Sequence, residues 1–131
     1  MTHGTSRIRR LVEDELDGCC DADVDRRLAE LDALDGVTSG DQGDCVALKA
    51  LANDTRYRIV RLLAAAEGEL CVCELDVLLD VSESATSHAL SRLADAGLVT
   101  RRKDGRWRYY GATERAERLV DALDATRRAD R

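Results

Sequence analysis

Apolar residues recur every three or four positions along most of the chain, the spacing that places side chains on one face of a helix. Two such sets precede residue 35. Their members are Ile8, Leu11, Val12 and Leu16, then Val24, Leu28, Leu31 and Leu34. The pattern predicts two amphipathic helices. The segment DGVTSGDQGD (35–44), which has three glycines, predicts a linker after them.

Helical patterns continue from residue 45 but are shorter. CVALKALA (45–52) predicts a short helix, and Asn53 or Asp54 is expected to cap the next helix, which ends near Gly68. The apolar face of that helix consists of Ile59, Leu62, Leu63 and Ala66. A last helix has the stripe Ala116, Leu119, Val120 and Leu123. Since the sequence has no Phe and one Trp, we expect an aliphatic core of packed helices.

Two helical patterns lie close together in the middle of the chain. CVCELDVLL (71–79) and ESATSHALSRLADAG (83–97) are separated by only three residues. Their predicted inward residues are Val72, Leu75, Leu78 and Leu79, then Ala85, Ala89, Leu90 and Leu93. Two helices joined by a tight turn, the second with small polar residues on its outer face, are typical of a helix-turn-helix.

A hairpin follows this pair of helices. Asp104-Gly105 favours a two-residue turn between LVTRR (98–102) and RWRYY (106–110). Alternation places Arg106 and Arg108 on one face and Trp107 and Tyr109 on the other. For these two rings, cross-strand packing beneath the wing is favoured over stacking on bases. The predicted fold is mainly α with a small β-hairpin, a winged helix-turn-helix with an N-terminal helical extension. The predicted domains are an acidic helical arm and linker (1–44) and a DNA-binding and dimerisation domain (45–131).

The net charge of −6 is unevenly distributed. Residues 11–44 hold twelve acids and two arginines, a net charge of −10, whereas residues 45–131 carry +1. The acidity therefore lies in the N-terminal extension and does not exclude a nucleic-acid partner. No membrane span or signal peptide is recognisable, so a cytoplasmic protein without a membrane partner is expected.

The second helix of the pair and the hairpin are the predicted DNA-binding elements. The helix offers hydroxyl, imidazole and guanidinium groups to a major groove, and RRKDGRWR (101–108) carries a net charge of +4 for phosphates. His88 has no ligand-type neighbour at helical spacing and is not expected to bind metal. The predicted DNA contacts are Ser84, Thr86, Ser87, His88, Ser91, Arg92, Arg101, Arg102, Lys103 and Arg106.

Five cysteines in a reducing compartment favour free thiols, metal ligands or redox switches over a disulfide framework. In a continuous helix, Cys71 and Cys73 would diverge by about 200°. They can share one ion only if the helix is distorted at its start. For Cys45, a small buried hydrophobic role is preferred.

Four segments together resemble the ArsR/SmtB family of metal- and metalloid-responsive repressors, over about residues 45 to 125. They are LANDTRYRIVRLL, ELCVCEL, VSESATSHALSRLADAGLV and RRKDGRWRYY. The resemblance implies a homodimer, built from the terminal helices, that binds double-stranded operator DNA without a cofactor. It also implies that a toxic ion releases the operator.

The resemblance extends to the arsenic-sensing branch, whose motif is similar to ELCVCDLC and supplies three thiolates. Cys71 and Cys73 match the first two, but Asp76 stands where the third would be. Other branches take ligands from N-terminal cysteines, which makes Cys19 and Cys20 the implied additional metal ligands. The implied inducer is As(III) or Sb(III), with Cd(II) or Pb(II) as alternatives. The zinc-sensing branch needs a histidine on the C-terminal helix, and the corresponding segment of this chain contains no histidine.

Our mechanistic hypothesis is that the ion reshapes helix 71–79 and thereby tilts helix 83–97 out of register with the DNA. Three alternatives remain. The thiols could respond to oxidation or persulfides, or they could be structural in a constitutive DNA-binding module. A thiol enzyme such as an arsenate reductase is disfavoured, because the motif is C-x-C rather than C-x-x-C and no phosphate-binding loop is present.

Overall fold

The computed structural model describes residues 2–15, 21–38 and 42–129. The chain divides into two compact units, residues 1–41 and 42–131. The elements in chain order are α1 (Thr2–Glu15), α2 (Asp21–Asp35), a 3-10 turn (Gly36–Thr38), α3 (Gln42–Leu51), α4 (Asp54–Ala65), β1 (Leu70–Cys71), α5 (Val72–Leu78), α6 (Glu83–Asp95), β2 (Val99–Asp104), β3 (Trp107–Ala112) and α7 (Glu114–Ala129).

The N-terminal unit is a pair of helices in contact with each other, as the apolar spacing predicts. Val12 of α1 and Val24 of α2 are its buried side chains among the described residues. Arg9 forms an ion pair with Asp21 between the two helices. Leu16, predicted to extend the stripe of α1, lies outside the described residues.

The larger unit has a largely aliphatic core to which each of its helices contributes. Asn53 caps α4 as predicted, because its side-chain oxygen accepts a hydrogen bond from the backbone N–H of Arg56 at 3.0 Å. Ile59 and Leu63 of α4 belong to the same buried cluster as Leu90 and Leu93 of α6. Helix α3 begins at Gln42, so the connection to it is shorter than the predicted linker.

The inward face of α6 differs from the prediction by one position. Thr86 is buried, whereas Ala85 is exposed, and the buried set is Thr86, Ala89, Leu90 and Leu93. These four residues have the spacing i, i+3, i+4, i+7 of a single helical face. Ala85 does not fit the first position of that spacing. In α5, Leu78 is 45% exposed, although it was expected to point inward with Leu75 and Leu79.

The wing is a three-stranded sheet rather than the predicted two-stranded hairpin. Its strand order is β1-β3-β2, and Cys71 of β1 pairs antiparallel with Tyr109 of β3. In the turn, Asp104 pairs with Trp107, so Gly105 and Arg106 are the two connecting residues. The turn therefore lies one residue later than predicted, and Gly105 supplies its positive φ of 64°.

Helix α7 packs against α4 through its predicted stripe, of which Ala116 and Val120 are buried. An ion pair of 2.8 Å between Arg61 of α4 and Asp124 of α7 joins the same two helices. None of the helices in the described part of the chain is long and apolar enough to cross a membrane.

Candidate DNA-binding surface and thiol site

Most of the polar residues predicted to face DNA from α6 are exposed. They are Ser84, Ser87, His88, Ser91 and Arg92. Thr86 is the exception, since it is fully buried and its hydroxyl donates a hydrogen bond to the backbone oxygen of Ser82 at 3.3 Å. The prediction that Thr86 contacts DNA is therefore wrong in this structure.

The two faces of the wing have different partners. Arg101 lies opposite Tyr110, which is buried in the core, whereas Arg102 lies opposite Tyr109 on the other face. Arg102 donates a hydrogen bond through Nε to Glu69 Oε1 at 2.9 Å. Its guanidinium also stands 4.7 Å from the centre of the Tyr109 ring. Arg102 is thus held by its own subunit, while Arg101 is on the face turned toward α6.

A cleft of ≈ 450 Å³ lies between α5, α6 and the wing. Ser87 and Ser91 of α6 border it, so it is part of the surface predicted to meet DNA. The wing contributes Arg101, Arg106, Trp107, Arg108 and Tyr110, and the other lining residues are Cys71, Val72, Cys73, Asp76 and Glu83. The structure therefore brings the predicted thiol pair and several predicted DNA contacts together.

Two wing residues differ from their sequence-based interpretation. Arg108 lines the cleft but was not among the predicted DNA contacts, although its alternation with Trp107 and Tyr109 was a sufficient signal. Trp107 is 52% exposed and borders the cleft, so it does not pack beneath the wing as expected.

Cys71 and Cys73 are joined by a disulfide, which contradicts the expectation of free thiols but is compatible with the redox switch that was predicted as an alternative. Cys71 is buried in β1 and precedes α5 in an extended conformation, with φ −85° and ψ 163°. Its backbone N–H donates to Glu74 Oε1 at 3.0 Å. Because Cys71 stands outside the helix, the divergence of about 200° does not apply. The Cα atoms are 5.4 Å apart, which lets both sulfurs reach the same point.

Asp76 stands where the ELCVCDLC motif of the arsenic-sensing branch has its third cysteine. It is half-buried beside the thiol pair, and its Oδ1 atom is buried without a hydrogen-bond partner. Cys45 is an exposed free thiol on α3, so its predicted role as a buried hydrophobe is wrong. Cys19 and Cys20 lie outside the described residues. Within residues 2–15, 21–38 and 42–129, no three His, Cys, Asp or Glu side chains are grouped to hold a metal ion.

The chain is similar to a known family of regulatory proteins. A family model described as "Bacterial regulatory protein, arsR family" matches residues 53–101. A candidate arsenical resistance operon repressor of Halobacterium salinarum is 53% identical over 95% of this chain and 98% of its own length. A cadmium resistance regulatory protein CadC homolog of Staphylococcus aureus is 39% identical over 56% of this chain and 60% of its own.

A solved structure shares the same fold. It is the homodimeric winged helix-turn-helix DNA-binding domain of a Mycobacterium bovis protein, 29% identical to this chain. The match covers 83% of this chain and 87% of that one, with a TM-score of 0.58.

Proposed function

The chain belongs to the ArsR family of bacterial regulatory proteins, and we propose that it is a homodimeric repressor that releases operator DNA when a thiophilic ion binds Cys71 and Cys73. The observation that carries this proposal is the cleft, which contains both the thiol pair and residues of α6 and the wing that are predicted to contact DNA. Family members are DNA-binding regulators, so we propose no catalytic activity.

DNA binding in this proposal uses α6 in the major groove and the wing on the adjacent phosphates. The exposed hydroxyls of Ser87 and Ser91 would meet base edges or phosphates, and Arg101, Arg106 and Arg108 supply positive charge beside them. Two copies are needed to read two half-sites, which fits the homodimeric domain of the Mycobacterium bovis protein.

Ion binding requires reduction of the Cys71–Cys73 disulfide, which yields two thiols that can reach one ion. We propose As(III) or Sb(III) as the inducer, since both prefer thiolate ligands and the relative in Halobacterium salinarum is named for arsenical resistance. The cadmium resistance relative supports Cd(II) as an alternative. Pb(II), another thiophilic ion, is the second alternative, and Cys19 and Cys20 are the proposed further ligands.

The test is an operator-binding titration. The reduced protein first selects a duplex from a random pool, and its affinity is then measured against arsenite, antimonite, cadmium, lead and zinc at one fixed salt concentration. We expect release by arsenite and antimonite, and no release from Cys71→Ser or Cys73→Ser protein. Cys45→Ser is the matched control and should respond as the wild type does. Undiminished release from the Cys71→Ser and Cys73→Ser proteins would contradict the proposal.

The disulfide favours a second candidate, in which oxidation of the thiol pair is itself the signal. In that case, two thiolates lose two electrons to an oxidant such as a peroxide and form the Cys71–Cys73 bond. Operator affinity would then differ between the oxidised and reduced proteins in the absence of any metal. Equal affinities of the two forms would exclude this candidate and leave ion binding as the signal.

A further inference from the structure

We propose that a small cysteine-derived thiol, carrying both carboxylate and ammonium groups, occupies the cleft and supplies the third sulfur to As(III) bound at Cys71 and Cys73. This inference rests on the proposed function, because it concerns the composition of the same ion site. It assigns the cleft a second ligand in addition to the ion.

The described part of the site contains fewer sulfur ligands than trivalent arsenic usually takes. Trivalent arsenic favours soft thiolate ligands and commonly takes three. The described cleft lining contains two cysteines, and Cys45, the other described cysteine, does not border it. Asp76 occupies the third position of the motif with a carboxylate, which is a poor substitute for a thiolate. A thiol from solution can fill the position that this chain leaves without sulfur.

The cleft is lined by charged residues of both signs. Arg101, Arg106 and Arg108 present guanidinium groups, which bind carboxylates through paired hydrogen bonds. Asp76 and Glu83 add negative charge to the same lining, and the carboxylate of the half-buried Asp76 can accept a hydrogen bond from an ammonium group. Carboxylate and ammonium groups occur together in cysteine and in peptides that begin with a free amino acid. The lining therefore fits a zwitterionic thiol better than a neutral one.

The cleft is also large enough for such a molecule. Its volume of ≈ 450 Å³ falls within the range of about 300–1,000 Å³ that small-molecule sites usually have. Cys73 is exposed and Cys71 is buried, so a ligand entering from the cleft meets Cys73 first.

The chemistry consists of one reduction and one ligand exchange. A small thiolate attacks the Cys73 sulfur and Cys71 leaves as a thiolate; a second small thiol then displaces Cys73, so that one small-molecule disulfide is released. An arsenic tris-thiolate next exchanges two of its three thiolates for Cys71 and Cys73, which pass their two protons to the departing thiols. Arsenic remains trivalent throughout the exchange.

Occupation of the cleft has a direct effect on DNA binding. The arginines that would hold the carboxylates are the same residues that would bind phosphates, and Ser87 and Ser91 border the same space. The bound thiol would therefore neutralise positive charge on the wing at the moment the ion binds.

The experiment uses the full-length protein, reduced with a phosphine and transferred to a thiol-free buffer. Arsenite is added with glutathione, with mercaptosuccinate, which lacks the ammonium group, or with neutral 2-mercaptoethanol, and native mass spectrometry measures the bound species. We expect one arsenic and one glutathione per subunit, in wild type and in Cys19→Ser/Cys20→Ser protein alike. Half-saturation should need at least about tenfold less glutathione than 2-mercaptoethanol, because charged hydrogen bonds are lost with the neutral thiol.

Variants identify which residues bind the carboxylate groups of the thiol and which bind its ammonium group. Arg106→Ala/Arg108→Ala should abolish the preference for glutathione over 2-mercaptoethanol, and Asp76→Asn should abolish the preference for glutathione over mercaptosuccinate. Arg118→Ala is the matched control, since this exposed arginine of α7 does not line the cleft. It should keep both preferences.

The contrary outcomes are distinct. Arsenic bound without a small thiol, or bound with all three thiols equally well, would overturn the inference and leave the proposed function intact. Arsenic binding that requires Cys19 or Cys20 would overturn it as well and would assign the third sulfur to the arm. Arsenic that binds regardless of Cys71 and Cys73 would overturn the proposed function itself.

Discussion

Two hydroxyl residues at adjacent positions of α6 have opposite surroundings. Thr86 is fully buried with its hydroxyl bonded to the Ser82 carbonyl, whereas Ser87 is exposed and borders the cleft. Successive residues of a helix point about 100° apart, so a shift of one position exchanges core for surface. For reading DNA, the exact phase of the helix thus matters more than the type of side chain.

Thr86→Val should leave operator affinity within about twofold of wild type, because the buried hydroxyl does not face the operator. Ser87→Ala/Ser91→Ala should weaken specific binding by about 0.5–1.5 kcal/mol for each hydrogen bond to a base that is lost. Fluorescence anisotropy with specific and scrambled duplexes measures both effects. A Thr86→Val protein that folds normally but loses specificity would show that this residue does contact the operator.

Within the wing, two arginines on adjacent strands have different tasks. Arg102 lies over the Tyr109 ring and donates a hydrogen bond to Glu69, which raises the pKa of Arg102. Arg108 instead borders the cleft beside α6. The ion pair of Arg102 ties the residue preceding β1 to β2, so it stabilises the sheet that holds Cys71.

We expect Arg108→Ala to lower the salt dependence of operator binding by about one unit in the slope of log K against log salt, as loss of one phosphate contact would. Arg102→Ala should leave that slope unchanged, because its guanidinium is already engaged within the subunit. Titrations at several salt concentrations measure the slopes. Equal reductions for the two variants would mean that Arg102 leaves Glu69 to bind DNA.

The ion pair between α4 and α7 should contribute less to the stability of the fold at acid pH. Arg61, through its hydrogen bond, lowers the pKa of Asp124, below the ordinary value of about 3.9. A lowered pKa contributes stability that is present above the ordinary value and is lost as the pH falls through the folded value. Asp124→Asn should therefore unfold at lower urea concentration at pH 6 but approach wild type near pH 2. Asp121→Asn, on an exposed position of the same helix, is the control and should show no such convergence.

At the scale of the whole molecule, apolar side chains remain exposed on the helices that begin and end the larger unit. Val46 and Leu48 of α3 are 51% and 58% exposed, and Leu123 of α7 is 44% exposed. Apolar surface of this kind is commonly covered by a partner. These residues agree with the proposed dimer of terminal helices.

Leu123→Asp should convert the dimer to a monomer and weaken operator binding by at least about tenfold, because a charge buried in an apolar interface is strongly unfavourable. Sedimentation velocity measures the oligomeric state. Val77→Asp is the control, since Val77 is 85% exposed but belongs to α5. A dimeric Leu123→Asp protein would place the interface elsewhere.

The sequence was sufficient for the helices, the cap at Asn53 and the winged architecture, because these follow from local spacing and turn chemistry. It was insufficient for β1, since a strand of two residues has no periodicity and forms only by pairing with the distant Tyr109 and Tyr110. The error at Thr86 has a related cause, because whether this side chain meets the core depends on the packing of α6, which adjacent residues do not encode. Arg108 is different, since its alternation with Trp107 and Tyr109 places it on the face of Arg101 and Tyr110.

The position of the disulfide in the cleft beside α6 would also have a kinetic consequence. A duplex bound as proposed, against Ser87, Ser91 and the wing, would cover the thiol pair and keep the proposed inducer from reaching it. The ion would capture only molecules that have already left the DNA. The speed of the cellular response would then be limited by the rate at which the repressor dissociates from DNA. Transcription controlled by an operator with a slower dissociation rate would start later at the same inducer concentration.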